Sequence, residues 1–401
     1  MSLLSLKDRI GFPADWKIEP IGKILLSSQY GTSKSSSESG VPVIGMKNLQ
    51  DGKVDFTYLS FVSLDDNEKT KLLLRNGDIL LNRTNSFDLV GKVGFVEKAI
   101  EAVFASYLVR LEIDKTKSDS KFVAIWLSGF WADQMIKKIA TRAISQANVN
   151  PTEFKKFCLI PVLPLPEQKA IVDLLSTWDE AIEKTERLIQ AKERRFKGLL
   201  RELILESQDT QKGTEWKKVE LEQICKVTKG KQLNVAYMKA DGAYYALNGG
   251  IGPSGRTDDW NTEAETITIS EGGNSCGYVN YNTERFWSGG HCYSLLNLKK
   301  NVEKHYLYFS LKMNEPKLMK LRVGSGLPNI QKKDVDKFTV AIPSFNKQQE
   351  IADTLNKAQQ EIDLLKHLAE KYKTQKRGLM QKLLTGEWRV KPEIVNLYKE
   401  A

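Results

Sequence analysis

A chain of 401 residues is too long for one hydrophobic core and fits two or three domains. Its 60 lysines and arginines against 50 acidic residues give a net charge of +10, which favours a polyanionic partner. Four scattered cysteines without a CxxC pair, with only three histidines, point to a reducing, intracellular setting and away from zinc.

Residues 1–12 suggest a short amphipathic helix ended by Gly11 and Pro13. With no basic leader and no run near ~18 apolar residues, the expected location is the cytoplasm, with no membrane contact. From Trp16 to Pro161 the strand candidates are VPVIGMKNL (41–49), GDILLNRT (77–84), KVGFVE (92–97) and ASYLVRLEI (105–113). SSQYGTSKSSSESG (27–40) is a polar loop, and KFVAIWLSGFWADQMIKKIA (121–140) is helical in period.

From Pro164 to about Ser207 runs one long helix, and a second version returns from Lys347 to Thr385 at an offset of 180. Ile171 falls on Ile351, Leu175 on Leu355, Ile182 on Ile362, Gly198 on Gly378 and Leu203 on Leu383. Both copies carry the 4-3 apolar seam of a coiled coil and are too polar to stand buried alone, so the two helices are expected to pair.

After a polar linker, SQDTQKGTEW (207–216), the first plan repeats. GAYYALNGGI (242–251) echoes GVPVIGMKNL, TITISEGGNSCGYV (266–279) echoes ILLNRTNSFDLVGKVG, and GLPNIQKKDVDKFTVAIP (326–343) echoes QANVNPTEFKKFCLIP. The domains read as 1–160, a first domain, and 161–207, a first long helix. Then come 208–342, a second domain, and 343–401, a second long helix with a tail. The terminal GEWRV (386–390) resembles GTEWKKV (213–219), as if a third copy began, which would lay the tail beside the first domain in a pseudo-circular, pseudo-two-fold molecule. The expected fold class is α+β.

Catalytic machinery is missing. There is no phosphate loop, no glycine-rich S-adenosylmethionine loop and no nucleophile elbow. Asn150-Pro151 lacks the aromatic ring that holds a flipped base. Asp179-Glu180 reads as solvated helix charge, and Cys276, His291 and Cys292 read as strand residues in a core rather than metal ligands. No catalytic residue and no metal ligand is assigned.

What remains is recognition. Asn82, Arg83, Thr84, Asn85 and Ser86 follow a buried-looking strand, and Lys92 follows Gly91. Arginine and asparagine carry the forked donors and amides that read guanine and adenine edges, although such a run is as readily an ordinary polar turn. The corresponding stretch of the second domain holds Glu271, Gly272, Gly273, Asn274 and Ser275. Gln29, Tyr30, Thr32 and Lys34 match Lys229, Lys231, Gln232 and Asn234, groups that contact phosphate or water more often than bases. Arg142, Gln146 and Asn148 pair with Arg322, Ser325 and Asn329 as a third polar stretch, and Lys47, Asn248, Arg256, His291 and Lys332 complete the DNA-binding candidates.

The chain resembles the specificity subunit of a type I restriction–modification enzyme over essentially its whole length. The carriers are IPVLPLPEQKAIVDLLSTWDEAI (160–182), KRGLMQKLLTG (376–386) and the duplicated variable domains. The resemblance implies two target-recognition domains, similar to the DNA-binding domain of adenine-N6 methyltransferases, held apart by an antiparallel pair of long helices. Each would read half of a bipartite, asymmetric site in double-stranded DNA, with the helix pair setting the gap. It also implies two modification subunits, which hold S-adenosylmethionine, and restriction subunits that use ATP and Mg, while the chain itself binds no cofactor. Two departures qualify the symmetry: IPSFNKQQEIADTL (342–355) lacks the LPxPEQ of the first spacer, and LLRELILES (199–207) lacks the Thr-Gly of the second. A self-sufficient DNA methyltransferase or nuclease, and a coiled-coil scaffold without nucleic-acid function, are the rivals.

Overall fold

The computed structural model describes residues 10–143, 146–206, 216–324, 326 and 328–399. The expected helix at 1–12 and the linker at 207–216 lie almost wholly outside these residues. The chain divides into two compact units, one of residues 1–184 and 369–401, the other of residues 185–368.

The first unit begins with β1 (Lys17–Pro20), β2 (Leu25–Tyr30), β3 (Val41–Ile44), β4 (Leu49–Gln50), β5 (Gly52–Val54), β6 (Ser60–Val62) and α1 (Asp66–Leu72). It continues through β7 (Ile79–Asn82), β8 (Thr84–Asn85), β9 (Val93–Phe95), β10 (Val103–Phe104) and β11 (Leu108–Ile113). The last part holds α2 (Ser120–Leu127), α3 (Phe130–Ile139), β12 (Thr141–Arg142), β13 (Ala147–Asn148), α4 (Pro151–Phe157), β14 (Leu159–Val162) and the start of α5 (Leu165–Arg201). Strands β2-β11-β7-β9-β5-β4 form the main sheet, and every side chain of β7 is buried, as a central strand covered on both faces requires. The helical run at 121–140 is two helices, because Ser128 caps α2 and Gly129 starts α3. The polar stretch 27–40 is a loop only from Gly31 onward; Ser27–Tyr30 pair with β11 instead.

The second unit repeats the plan. It comprises β15 (Lys217–Glu220), α6 (Leu221–Ile224), β16 (Lys226–Lys229), β17 (Tyr244–Leu247), β18 (Gly255–Thr257), β19 (Thr266–Ser270), β20 (Val279–Asn282), β21 (Phe286–Ser288) and β22 (Cys292–Leu296). Helices α7 (Lys304–Met313), α8 (Glu315–Lys320) and α9 (Lys332–Asp336), strand β23 (Thr339–Ile342) and α10 (Phe345–Thr385) follow, and α11 (Pro392–Asn396) ends the described chain. The sheet order β16-β22-β19-β20 matches β2-β11-β7-β9 strand for strand, and β21-β17-β18 matches β10-β3-β6, each with one parallel and one antiparallel pairing.

Pieces of the two long helices pack together within each unit. In the first, Ile171 and Leu175 of α5 share a core with Leu383, Leu384 and Val390, and Trp178 meets Tyr372 edge-on at 5.8 Å. In the second, Leu200 of α5 shares a core with Ile351 and Leu355 of α10. Burying each such aliphatic side chain stabilises by roughly 1.5–3 kcal/mol. The two lysines that interrupt the apolar seams are both paired, Lys376 with Asp179 at 2.6 Å and Lys192 with Glu361 at 2.5 Å. Asp179 is therefore not simply solvated.

The entry to each long helix is fixed by a glutamine, and the two glutamines stand 180 residues apart. Gln168 accepts from the Ser118 hydroxyl and the Asp119 N–H at 2.8 Å and donates to the Leu163 carbonyl. Gln348 accepts from the Glu303 N–H at 2.9 Å and donates to the carbonyls of Asn301 and Pro343. Both are fully buried or nearly so, and a buried amide bonded through both its oxygen and its nitrogen specifies one helix direction. The tail packs on the first unit, where Arg389 bonds Asp15 and Glu167.

Candidate nucleic-acid interface

The end of the central strand has the same backbone frame in both units. Arg83 donates its N–H to the Tyr107 carbonyl (3.0 Å) and accepts from Val149 (2.8 Å). Glu271 donates to the His291 carbonyl (2.9 Å) and accepts from Ile330 (2.8 Å). One residue earlier, the carbonyls of Asn82 and Ser270 accept from Gly91 and Gly277 at 2.8 Å. These two glycines have φ of +89° and +88°, and a Cβ would stand 2.5 Å from Ile136 in one unit and 2.8 Å from Met319 in the other. Arg83 and Glu271 thus occupy one structural position with opposite charges.

In the first unit three separated stretches converge there. The guanidinium of Arg83 lies 5.0 Å from the ring centre of half-exposed Tyr30, and Nη1 donates to Asn148 Oδ1 at 3.4 Å. Strands β8, β13 and β12 form a small sheet that carries Thr84, Asn85, Asn148 and Arg142 together, and Arg142 covers the Phe87 ring at 3.4 Å. Arg83 Nε and Thr84 Oγ1 are buried without a partner, a desolvation cost that an incoming polar group would offset.

Other first-unit candidates are placed differently. Asn82 is wholly buried, with neither amide atom bonded, and as placed it cannot reach an external base. Gln29 is tied to Arg110, a buried guanidinium that also pairs with Asp78 and donates to the carbonyls of Leu73 and Lys71. Thr32 caps the Lys34 N–H at 3.1 Å, and the Lys34 ammonium pairs with Glu68. Asn85 accepts from the Ser86 N–H. Lys47, Ser86, Lys92 and Gln146 are exposed.

In the second unit Glu271 is the centre. Its carboxylate, nearly buried, accepts from Lys229 Nζ (2.5 Å), from the Tyr293 hydroxyl (3.0 Å) and from His291 Nδ1 (3.2 Å). Burial first, and then the Glu271 carboxylate, push the Tyr293 hydroxyl above its ordinary range, so it remains a donor. Asn248 accepts from the His291 N–H at 3.3 Å. The expectation that His291 packs in a core fails: the ring is 59% exposed, while Cys276 and Cys292 are buried. Among the described residues no cluster of histidine, cysteine or acidic side chains could hold a metal.

Several second-unit candidates are committed elsewhere. Arg256 donates to the carbonyls of Gly242 (2.6 Å) and Ala243 (3.0 Å), Ser275 to that of Gly249 (2.6 Å), and Lys332 pairs with Asp336 inside α9. Asn329 exchanges backbone bonds with Val323 and accepts from Gln331. Lys231, Gln232, Asn274 and Arg322 are exposed, and Ser325 lies outside the described residues. The sequence places Glu271 in the stretch that matches Asn82–Ser86 but does not mark it as a site residue, and nothing local marks Tyr293.

A duplicated α+β unit with a polar, cation-rich cluster at the end of its central strand, joined through long helices, defines the class of a modular DNA-recognition protein. The family profile described as type I restriction modification DNA specificity domain matches residues 13–193 and again 213–373, and the chain belongs to that family. It is a non-catalytic specificity subunit of a type I restriction–modification system. The putative type I restriction enzyme MjaX specificity subunit of Methanocaldococcus jannaschii is 27% identical over 96% of both chains. A putative specificity subunit of Mycoplasma pneumoniae is 32% identical over 39% of this chain and 42% of its own. The crystal structure of the S subunit from M. genitalium matches in fold with a TM-score of 0.63 at 20% identity, covering 92% of this chain and 96% of that one. Among the described residues no helix is long and apolar enough to cross a membrane.

Proposed function

We propose that the chain reads a bipartite, asymmetric site in double-stranded DNA, one half per unit, and delivers it to two modification subunits, with restriction subunits joining them. S-adenosylmethionine, ATP and Mg belong to those partners. The observation that carries the reading is one backbone frame presenting Arg83 with Tyr30 and Asn148 in one unit, and Glu271 with Lys229 and His291 in the other. A repeated frame with different side chains suits two readers of different base sequences, because base edges are told apart by donor and acceptor pattern. The gap between half-sites is assigned to the long helices: α5, with 37 residues, is about 55 Å long at 1.5 Å per residue. Base pairs rise about 3.4 Å each, so that length spans about 16 base pairs end to end, room for half-sites about one helical turn apart between readers at its ends.

The test is a map of methylated adenines in cells that carry this chain with its cognate modification subunit. Two half-sites at a fixed spacing are expected, and exchange of residues 1–160 for those of another specificity subunit should change one half alone. No methylated motif, or both halves changing together, would overturn the reading.

A further inference from the structure

We infer that Glu271 is the positioning residue of the second unit's base reader, and that it sets His291 to accept a hydrogen bond from an exocyclic amino group, adenine N6 or cytosine N4, in the major groove. The inference rests on the function proposed above and names the chemistry of one contact within it.

An ionised carboxylate can only accept. In the neutral form of the ring, the 3.2 Å contact between Glu271 Oε2 and His291 Nδ1 therefore places the proton on Nδ1. Nε2 is then left with its lone pair. The ring is 59% exposed, whereas the Glu271 side chain is only 9% exposed, so a buried group fixes the tautomer of an exposed one. The backbone on either side is also fixed: the His291 N–H donates to Asn248 Oδ1, and its carbonyl accepts from Glu271.

Two other groups constrain Glu271 itself. Lys229, at the end of β16 on the far side of β22, and the Tyr293 hydroxyl both donate to Oε1, which leaves Oε2 for His291. The ammonium can only donate. It also compensates the carboxylate charge beside a polyanion, so the cluster can face DNA without repelling it. At the equivalent position of the first unit stands Arg83, a pure donor suited to guanine O6 and N7. The two halves of the target therefore differ in kind at this contact. The first offers acceptors, and the second offers an amine.

The tautomer supplies a test that does not depend on affinity alone. In Glu271→Gln the amide oxygen must stay with Lys229, which cannot accept, so the amide NH₂ turns to His291. That forces Nδ1 to accept, moves the ring proton to Nε2, and converts the outward group from acceptor to donor.

The experiment uses the full chain in complex with its modification subunits. Duplexes carry, one base at a time in the second half-site, nebularine for adenine or pyrimidin-2-one for cytosine, each lacking the amino group. One such replacement should weaken binding by about 10- to 100-fold, and which base responds decides between adenine and cytosine. Glu271→Gln and His291→Ala should each abolish that penalty at the same position while leaving first-half discrimination intact. Ring ¹⁵N shifts of His291, one of three histidines, should report the Nδ1–H form in the parent and the Nε2–H form in Glu271→Gln at about pH 8.5, where imidazole is ordinarily neutral. An Nε2–H tautomer in the parent, or amine penalties in the second half-site that both variants retain, would overturn the inference while the two-reader function stands. Loss of all sequence discrimination in the parent complex would instead remove the function on which it rests.

Discussion

Arg389 closes a two-pronged ion pair on Glu167, with Nε to Oε1 at 2.5 Å and Nη2 to Oε2 at 2.8 Å. Glu167 is the glutamate of the LPEQ entry to α5, and its side chain is only 5% exposed. The tail thus neutralises a carboxylate that the first unit has nearly desolvated, and Arg389 also reaches Asp15 at 3.1 Å. At the matching place in α10 stands Lys347, which pairs within its own helix with Glu350. The second spacer, which departs from LPxPEQ, thus keeps its charge at this place paired within one helix.

Arg389→Ala should destabilise the first unit by about 1–3 kcal/mol, since it leaves a nearly buried charge unpaired. Glu167→Gln combined with Arg389→Ala should recover part of that loss, because the uncompensated charge is gone. Denaturant titrations of the single and double variants check this, and equal losses in both would mean that the contact matters through packing alone.

Arg83→Ala should weaken binding to the cognate site by about 10- to 100-fold relative to scrambled DNA, the cost of a lost bidentate base contact. Lys47→Ala, at an exposed lysine, should lower cognate and scrambled affinities alike and reduce the salt slope by about one. Fluorescence anisotropy over a range of salt concentrations separates the two. If both variants behave alike, Arg83 is a phosphate contact.

Gly198 and Gly378 fall 180 apart inside long helices, and an added Cβ at either meets nothing within 4 Å. Helix-interior glycine costs roughly 0.5–1 kcal/mol relative to alanine. Gly198→Ala and Gly378→Ala should therefore each stabilise the isolated chain by about that amount, a rise of about 1–4 °C in melting temperature for domains of this size. A fall in melting temperature would show that the chain itself needs those glycines.

The repeat was legible because apolar period and turn residues are local properties, and the constant offset from Ile171–Ile351 to Leu203–Leu383 needs no tertiary knowledge. The break at Gly129 was not, because Trp126, Phe130 and Ile136 keep a helical period across it. The repeat marks the place of Glu271 but not its role, since that role comes from Lys229, His291 and Tyr293, which only the sheet brings to it. Asn82 and Gln29 misled for the converse reason: base-reading residue types also satisfy interiors, and only burial and the Arg110 contact reveal which task they have.

The four thiols provide a way to watch the two units separately. Cys158 is the only cysteine in the first unit, while Cys225, Cys276 and Cys292 lie in the second. Burial pushes Cys158 and Cys225 up to about 12 and Cys292 to about 11, and raises Cys276 as well. The sign follows from desolvation, which disfavours the thiolate, the form that attacks disulfides and alkylating agents. At about pH 8 a thiol with a pKa near 12 is ionised to on the order of 10⁻⁴, so the native protein should consume almost no thiol reagent, and raising the pH to about 9 should change little. Denaturant should release four equivalents, and mass mapping of the labelled peptides should show whether Cys158 emerges apart from the other three. In Arg389→Ala, Cys158 should be labelled at lower denaturant than in the parent, with the second-unit thiols unmoved. A thiol that reacts at its free rate in the native chain would mean that its burial, and the packing argued around it, is wrong.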